Sequence, residues 1–368
     1  KLTFSAVFDI NNNSEIVNTW FGKTIIHSDY RLTYMQAQEI IDGEKHDVLD
    51  KPILKLNSIA EIIRKRRLEK GALNIESEEL SFIIDEKGLP SGVKIKISRK
   101  ANKLIEEFML LANKNVAKYL GKATKQKQIT PSIYRIHDNP SEEKISELRI
   151  ILEQFGYYIK TEKNKPISYS LNVVMQKAKE NKELHIIGPL VIRSMSKAKY
   201  SQENTGHYGL SFDYYTHFTS PIRRYADLLV HRILLGALEG KKPAVASYEK
   251  ICQYISTMEK RAVEAERASN KMLQVLYLQD KIGEVFKGKI TGVADWGIFV
   301  EIEENKCEGL IRLNTLKDDY YHHDPETYKI IGNKNKKEYH LGQQVLIEVL
   351  AVNLAKRQID FLMIQEDS

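Results

Sequence analysis

A change of hydrophobic period at Gly283 constrains the fold more than any other feature. Upstream, from Tyr248, the pattern is helical, with Met258, Arg261, Ala265, Ala268, Met272 and Tyr277 repeating. Downstream it alternates. Val285-Phe286-Lys287-Gly288-Lys289-Ile290 and Trp296-Gly297-Ile298-Phe299-Val300-Glu301-Ile302 read as short strands around a glycine-bearing turn. With Gly309-Leu310-Ile311, Gln344–Leu350 and Gln358–Leu362 they make five strands in about 85 residues, the size of a small closed barrel of the OB type. The predicted class is therefore α+β: a mixed sheet packed with helices over residues 1–281, then a five-stranded OB-type β-barrel over residues 282–368.

The first part carries both signals. Lys1 to Ile10 alternates, with Leu2, Phe4, Ala6 and Phe8 on one face, and Asn11-Asn12-Asn13-Ser14 turns it into a second strand bearing Trp20 and Phe21. Helices are predicted at Tyr34–Asp42, Ile53–Lys70, Ala101–Leu120, Glu142–Phe155, Asn172–Glu180, Ile186–Met195 and Leu228–Leu238. Strands are predicted near Glu79–Asp85 and Val93–Ile97. The Ile53–Lys70 helix places Leu54, Leu56, Ile59, Ile62, Ile63 and Leu68 on an apolar face, and the run Arg64-Lys65-Arg66-Arg67 reads as a solvated one. There is no tandem repeat and no low-complexity tail.

Composition narrows the function classes. With 42% hydrophobic and 29% charged residues the chain reads as soluble and globular, and a net charge of +7 with pI near 9.0 favours a polyanionic partner. Cys252 and Cys307 form no Cys-x-x-Cys pair, which argues for a reducing cytoplasm and against structural zinc. No apolar run approaches a membrane span.

The chemistry concentrates in His207-Tyr208-Gly209-Leu210 and in Thr216-His217-Phe218-Thr219-Ser220-Pro221-Ile222-Arg223-Arg224-Tyr225-Ala226-Asp227. Guanidinium forks match phosphate oxygens, aromatic rings offer faces to bases, and hydroxyls such as that of Ser220 reach a nucleic-acid backbone. The arginines precede a helix whose free N–H groups also favour an anion. Taken alone, Arg223 and Arg224 suit ordinary surface cations equally well.

Thr219 to Asp227 resembles the signature of the RNB-type exoribonucleases, the RNase II and RNase R family. Ser28 to Tyr34 resembles that family's Ser-x-x-Arg-Leu-Thr-Tyr. Leu104 to Met109 with Ala112-Asn113 resembles its Ile-Glu-Glu helix, and Tyr134 to Pro140 its Arg-Ile-His-Asp segment. Arg193-Ser194-Met195 and Glu203 to Leu210 also fit. The resemblance implies hydrolytic 3′-to-5′ degradation of RNA to nucleoside 5′-monophosphates, helped by Mg²⁺. Carried over by position, Arg223 clamps the phosphate being cleaved, Arg224 supports it, and Glu106 contacts the terminal nucleotide. His207 and Tyr208 line the exit of the phosphate path, and Ser220 joins the RNA-binding loop. Tyr30, Arg31 and Tyr34 are channel candidates. Ile75 stands where relatives place a stacking aromatic, so that clamp is weaker or differently built. The family's aspartate cluster for metal has no counterpart here, so no metal ligand is assigned. A strand starting immediately at Lys1 suggests a chain that begins inside the catalytic domain and is inactive alone.

The order Gly-x-Val-x-x-Gly-x-Ile, Gly-Ile-Phe-Val-x-Ile and Glu-Gly-Leu-Ile after Gly283 resembles the S-one class of OB domains. That implies single-stranded RNA binding, with Phe286, Phe299 and His323 facing RNA and Lys287 and Lys289 tracking phosphates. Asp318, Asp319, His322, His323 and Asp324 mimic a metal cluster but are read as a polar loop. The expected partners are single-stranded RNA, structured RNA and ribosome-associated RNA, for a monomer without membrane contact. Two other readings stay open: a catalytically inactive RNA-binding or regulatory member of the same family, and a ribosome-associated binder of the S-one type.

Overall fold

The computed structural model describes all residues except 45–47, 76–77, 126–131, 161–164, 182, 242–246, 326 and 365–368. In chain order the elements are β1 (Leu2–Ile10), β2 (Ile16–Ile25), α1 (Tyr34–Asp42), α2 (Asp50–Glu69), β3 (Glu78–Ile84), β4 (Pro90–Ile97), α3 (Lys100–Lys125) and β5 (Tyr134–Ile136). Then follow α4 (Glu142–Gln154), α5 (Ile167–Glu180), α6 (Leu184–Ser194), β6 (Lys199–Ser201), α7 (Tyr225–Leu238) and α8 (Glu249–Gln279). The last part holds β7 (Val285–Ala294), β8 (Gly297–Ile302), β9 (Glu308–Arg312), β10 (Tyr321–Asp324), β11 (Lys329–Gly332), β12 (Glu338–His340), β13 (Gln344–Asn353) and β14 (Gln358–Ile364).

Local chemistry sets several boundaries. Thr33 and Gln36 form a reciprocal capping box at the start of α1, and Gly43 ends that helix at φ 76°, a left-handed geometry suited to glycine. Gln38, buried on α1, accepts from the Ala101 N–H and so satisfies an otherwise orphaned donor at the start of α3. Ser141 caps α4 through the Lys144 N–H.

The α+β class and the OB-type barrel are as expected. The barrel closes in the order β13-β14-β9-β8-β7, and the other described strands of the first part form two-stranded antiparallel ladders, β1–β2, β3–β4 and β5–β6. The helical pattern from Tyr248 ends at Gln279, four positions before the switch at Gly283, and α5 starts at Ile167, five positions before its expected start at Asn172. Leu2, placed with Phe4, Ala6 and Phe8 on an apolar face, is exposed, while those three pack on the core.

Two expectations need correction. The polar loop expected around Asp318–Asp324 is partly a strand: β10 pairs with β11, and β11 with β12, in a small sheet of its own. The apolar face expected on α2 is misassigned in part, since of its six residues only Ile59, Ile63 and Leu68 are half-buried. Leu54, Leu56 and Ile62 are exposed, whereas Asn57, Ala60 and Arg67 are buried. Arg67 turns inward because Glu107 waits on α3; the two form a 2.5 Å ion pair, with side chains 6% and 1% exposed. An enclosed charge is tolerated only with such a partner.

Among the described residues three large cores and one small cluster, of Ala117, Tyr134 and Ile136, organise the fold. One gathers Phe21, Val116, Leu120, Leu229, Val230, Ile233, Leu234, Cys252 and Ile255. A second lies among α4, α5 and α6, around Leu152, Leu171, Val174, Ile187 and Val191. The third fills the barrel and continues into Val275 and Leu278 of α8 and into Ile151 and Ile186 of α4 and α6. The barrel is therefore packed onto the helices. No helix among the described residues is long and apolar enough to cross a membrane.

Candidate nucleic-acid interface

The segment before α7 is an irregular loop held from below by buried polar groups. Thr216 Oγ1 donates to the Ile133 carbonyl at 2.6 Å. Asn113 Oδ1 on α3 accepts from the Phe218 and Thr219 N–H groups at 2.9 and 3.2 Å. His231 Nε2 of α7 donates to the Phe218 carbonyl at 2.8 Å. Asp227, fully buried in the first turn of α7, accepts from the Ser220 N–H at 2.8 Å and pairs with the Arg224 guanidinium at 2.9 Å. Its negative charge also suits the positive helix end. An irregular backbone stays ordered only when its polar groups are met in this way.

The tip of this loop faces outward. Ile222 and Arg223 are exposed, and the Arg223 guanidinium has no ion pair or hydrogen bond among the described residues. Ser220 is half-buried, and its carbonyl accepts from the Arg223 and Arg224 N–H groups. The two arginines thus differ: Arg224 is committed to Asp227, and Arg223 is free to meet an anion.

His207 and Tyr208 sit elsewhere, in an open cleft lined also by His137, Asn204, Thr205 and Asp213. Burial, with help from His137, pushes His207 down to about 3. His137 is itself held below the usual histidine range by burial; its Nε2 donates to the Ser196 carbonyl and its Nδ1 accepts from the Gly209 N–H. Edge-to-face contacts run from His137 to His207 to Tyr215 to His217, linking the cleft to the arginine loop.

Glu106 is exposed on α3, and Arg67 approaches it at 3.8 Å. Its neighbour Glu107 is the enclosed acid. No hydrogen bond or ion pair joins Glu106 to Arg223 among the described residues. Tyr30, Arg31, Tyr34 and Ile75 are exposed.

The three barrel candidates do not share a face. Phe299 alternates with the inward Ile298, Val300 and Ile302 and so points outward. Phe286 follows the inward phase of Gly288 and Ile290 and packs against the barrel core. The single aromatic–basic face expected from Phe286 and Phe299 is therefore split by strand alternation. His323 is largely enclosed, its side chain 13% exposed, and its Nδ1 meets Asp295 Oδ1 at 2.8 Å. Trp296, in the β7–β8 turn, is 62% exposed.

Among the described residues no three His, Cys, Asp or Glu side chains are grouped to hold a metal. Asp319 is spent on the Tyr320, Lys334 and Asn335 N–H groups, and Asp318 on Tyr321. The described residues therefore do not fit an Mg²⁺ site.

The sequence profile of the RNB domain matches residues 1–240. The chain belongs to the RNB family. A second profile, the S1 RNA binding domain, matches residues 279–364 of this RNB-family chain. Over 380 residues it is 35% identical to the ribonuclease R of Aquifex aeolicus, covering 100% of this chain and 52% of the relative. Ribonuclease R of Escherichia coli is 32% identical, with 100% and 47% covered. The fold matches Mycoplasma genitalium RNase R in complex with ribose methylated single-stranded RNA at a TM-score of 0.89 and 25% identity, over 99% of this chain and 58% of that one. Yeast Ssd1, a pseudonuclease, shares the fold at a TM-score of 0.66 and 20% identity, over 89% of this chain and 41% of that one. The chain spans about half the length of the curated relatives it matches.

Proposed function

We propose that this chain supplies the phosphate-gripping part and the C-terminal RNA-binding barrel of a hydrolytic 3′-to-5′ exoribonuclease that releases nucleoside 5′-monophosphates. The observation that carries the reading is the unpaired, outward guanidinium of Arg223 on a loop whose backbone is fixed by Asn113 and Asp227. A preorganised cation offsets charge building on a phosphoryl group without having to move first. Arg224 buttresses that loop, Ser220 shapes it, and Glu106 meets the terminal nucleotide. His207 and Tyr208 border the path by which phosphate leaves. Residues 1–281 and 282–368 act as the catalytic and binding domains.

Hydrolysis at phosphorus with Mg²⁺ requires convergent acidic ligands. The described residues do not supply them, so the reading places them in polypeptide outside this sequence. The substrate class is single-stranded RNA, with structured and ribosome-associated RNA as further partners, for a monomer in the cytoplasm. Mycoplasma genitalium RNase R is found in complex with single-stranded and with double-stranded RNA, which supports RNA as the ligand.

The second reading is an inactive RNA-binding member, favoured by the pseudonuclease that shares this fold. One experiment separates them. In the complete protein with Mg²⁺, Arg223→Ala is expected to cut RNA hydrolysis far more than RNA binding. Equal losses assign Arg223 to general affinity, and no hydrolysis by the unaltered protein supports the inactive reading.

A further inference from the structure

We propose that His217 is a neutral hydrogen-bond donor to a phosphodiester oxygen of RNA at the Ser220–Arg224 loop, held as the Nε2–H tautomer by the hydroxyl of Tyr200. The inference rests on reading that loop as a phosphate clamp and adds a contact to it.

Tyr200 Oη lies 2.6 Å from His217 Nδ1. Tyr200 is buried, and among the described residues its hydroxyl has no other hydrogen-bond partner. A buried phenol O–H needs an acceptor. Nδ1 serves only if it carries no proton, so the proton resides on Nε2. Burial raises the Tyr200 hydroxyl far above its usual range, which keeps it a donor.

Tyr200 is a positioning residue and is itself anchored. Its ring lies 4.8 Å from the Arg135 guanidinium, Arg135 pairs with Glu259 of α8 at 2.6 Å, and the Tyr200 N–H donates to Ser256 Oγ. The imidazole of His217 stands edge-to-face between Tyr200 and Tyr215, 5.6 Å from each ring. Nε2 is left as the edge without a hydrogen-bond partner among the described residues.

The surroundings keep the ring uncharged. Burial first, then the guanidiniums of Arg224, Arg135 and Arg223 and the neighbouring His207, press His217 down to about 2. An imidazolium here would repel the cations that share its anion. A neutral N–H contributes direction to the clamp without that repulsion.

The test is nitrogen NMR of histidine-labelled chain during titration with a short single-stranded oligouridylate, with the Trp296 indole as a reporter on the barrel. The expected result is an Nε2–H ring at His217 that stays neutral under mildly acidic conditions. Its Nε2–H resonance should move with RNA in the wild type, and much less in Arg223→Ala. Tyr200→Phe should give mixed tautomers. His217→Gln, which keeps an N–H near the Nε2 position, should retain most of the affinity that His217→Ala loses, about tenfold. A charged or Nδ1–H ring overturns the inference. So does an Nε2–H resonance that stays still while the Trp296 indole moves; RNA binding by the barrel then survives without His217. If neither signal moves, the clamp reading falls together with this one.

Discussion

Arg67 and Glu107 form an enclosed ion pair between α2 and α3, one residue along α3 from the exposed Glu106. Adjacent glutamates thus have opposite duties, one inside the structure and one at the surface. Arg64 also approaches Glu107, at 3.6 Å, so two guanidiniums converge on the inner acid.

The first prediction follows from this division. Glu107→Ala removes the near, enclosed partner of buried Arg67, leaving only the more distant Glu106, and should cost about 3 kcal/mol of folding stability. Glu106→Ala should change stability by about 0.5 kcal/mol or less, as a surface substitution. Urea unfolding of both variants checks the contrast, and similar losses would refute it.

Asn113 holds two backbone N–H groups of the arginine loop. Asn113→Ala leaves both without an acceptor and should destabilise by about 2–4 kcal/mol. Amide hydrogen exchange at Phe218 and Thr219 should quicken more than in the core of α7, because the lost support is local.

Histidine burial sets the acid response. His217 and His207 titrate at about 2 and about 3 in the fold, against 6.5 for the ordinary side chain. Above pH 6.5 neither state gains protons and stability is level. Below it the unfolded chain binds protons that the fold refuses, so stability falls as pH falls, by about 1 kcal/mol per pH unit for each histidine. Urea midpoints between about pH 6 and about pH 4.5 should fall accordingly. A combined His207→Gln and His217→Gln variant should flatten the slope.

In the barrel, Phe286 and Phe299 should part company. Phe286→Ala removes a side chain packed on the core and should cost about 2–4 kcal/mol of stability. Phe299→Ala and Trp296→Ala should leave stability nearly intact and weaken binding of single-stranded RNA by about 1–3 kcal/mol each, with a steep salt dependence throughout. Fluorescence titration at two ionic strengths measures this.

Much of this architecture was legible in the sequence because it rests on local periodicity. The switch at Gly283, the β1–β2 hairpin and the helix end at Gly43 needed no long-range information. The inward turn of Arg67 was hidden because it depends on Glu107, forty positions away. Alternation marked β7 and β8 as strands, yet Phe286 and Phe299 were grouped by residue type rather than by phase. The arginine loop was visible as composition, but its rigidity comes from Asn113, Thr216 and His231, polar residues that look unremarkable in a linear reading. Tyr200 and His217 were likewise joined only by folding.

α8 has one further consequence. Cys252 and Ile255 are embedded in one core and Val275 and Leu278 in another, while residues 261–267 between them are exposed on every side. From Ile255 to Val275 the helix rises about 30 Å. This stretch works as a strut: it carries the chain from the core beneath the arginine loop to the barrel with no cover of its own, and a single proline at its middle would kink it at a cost of about 3 kcal/mol.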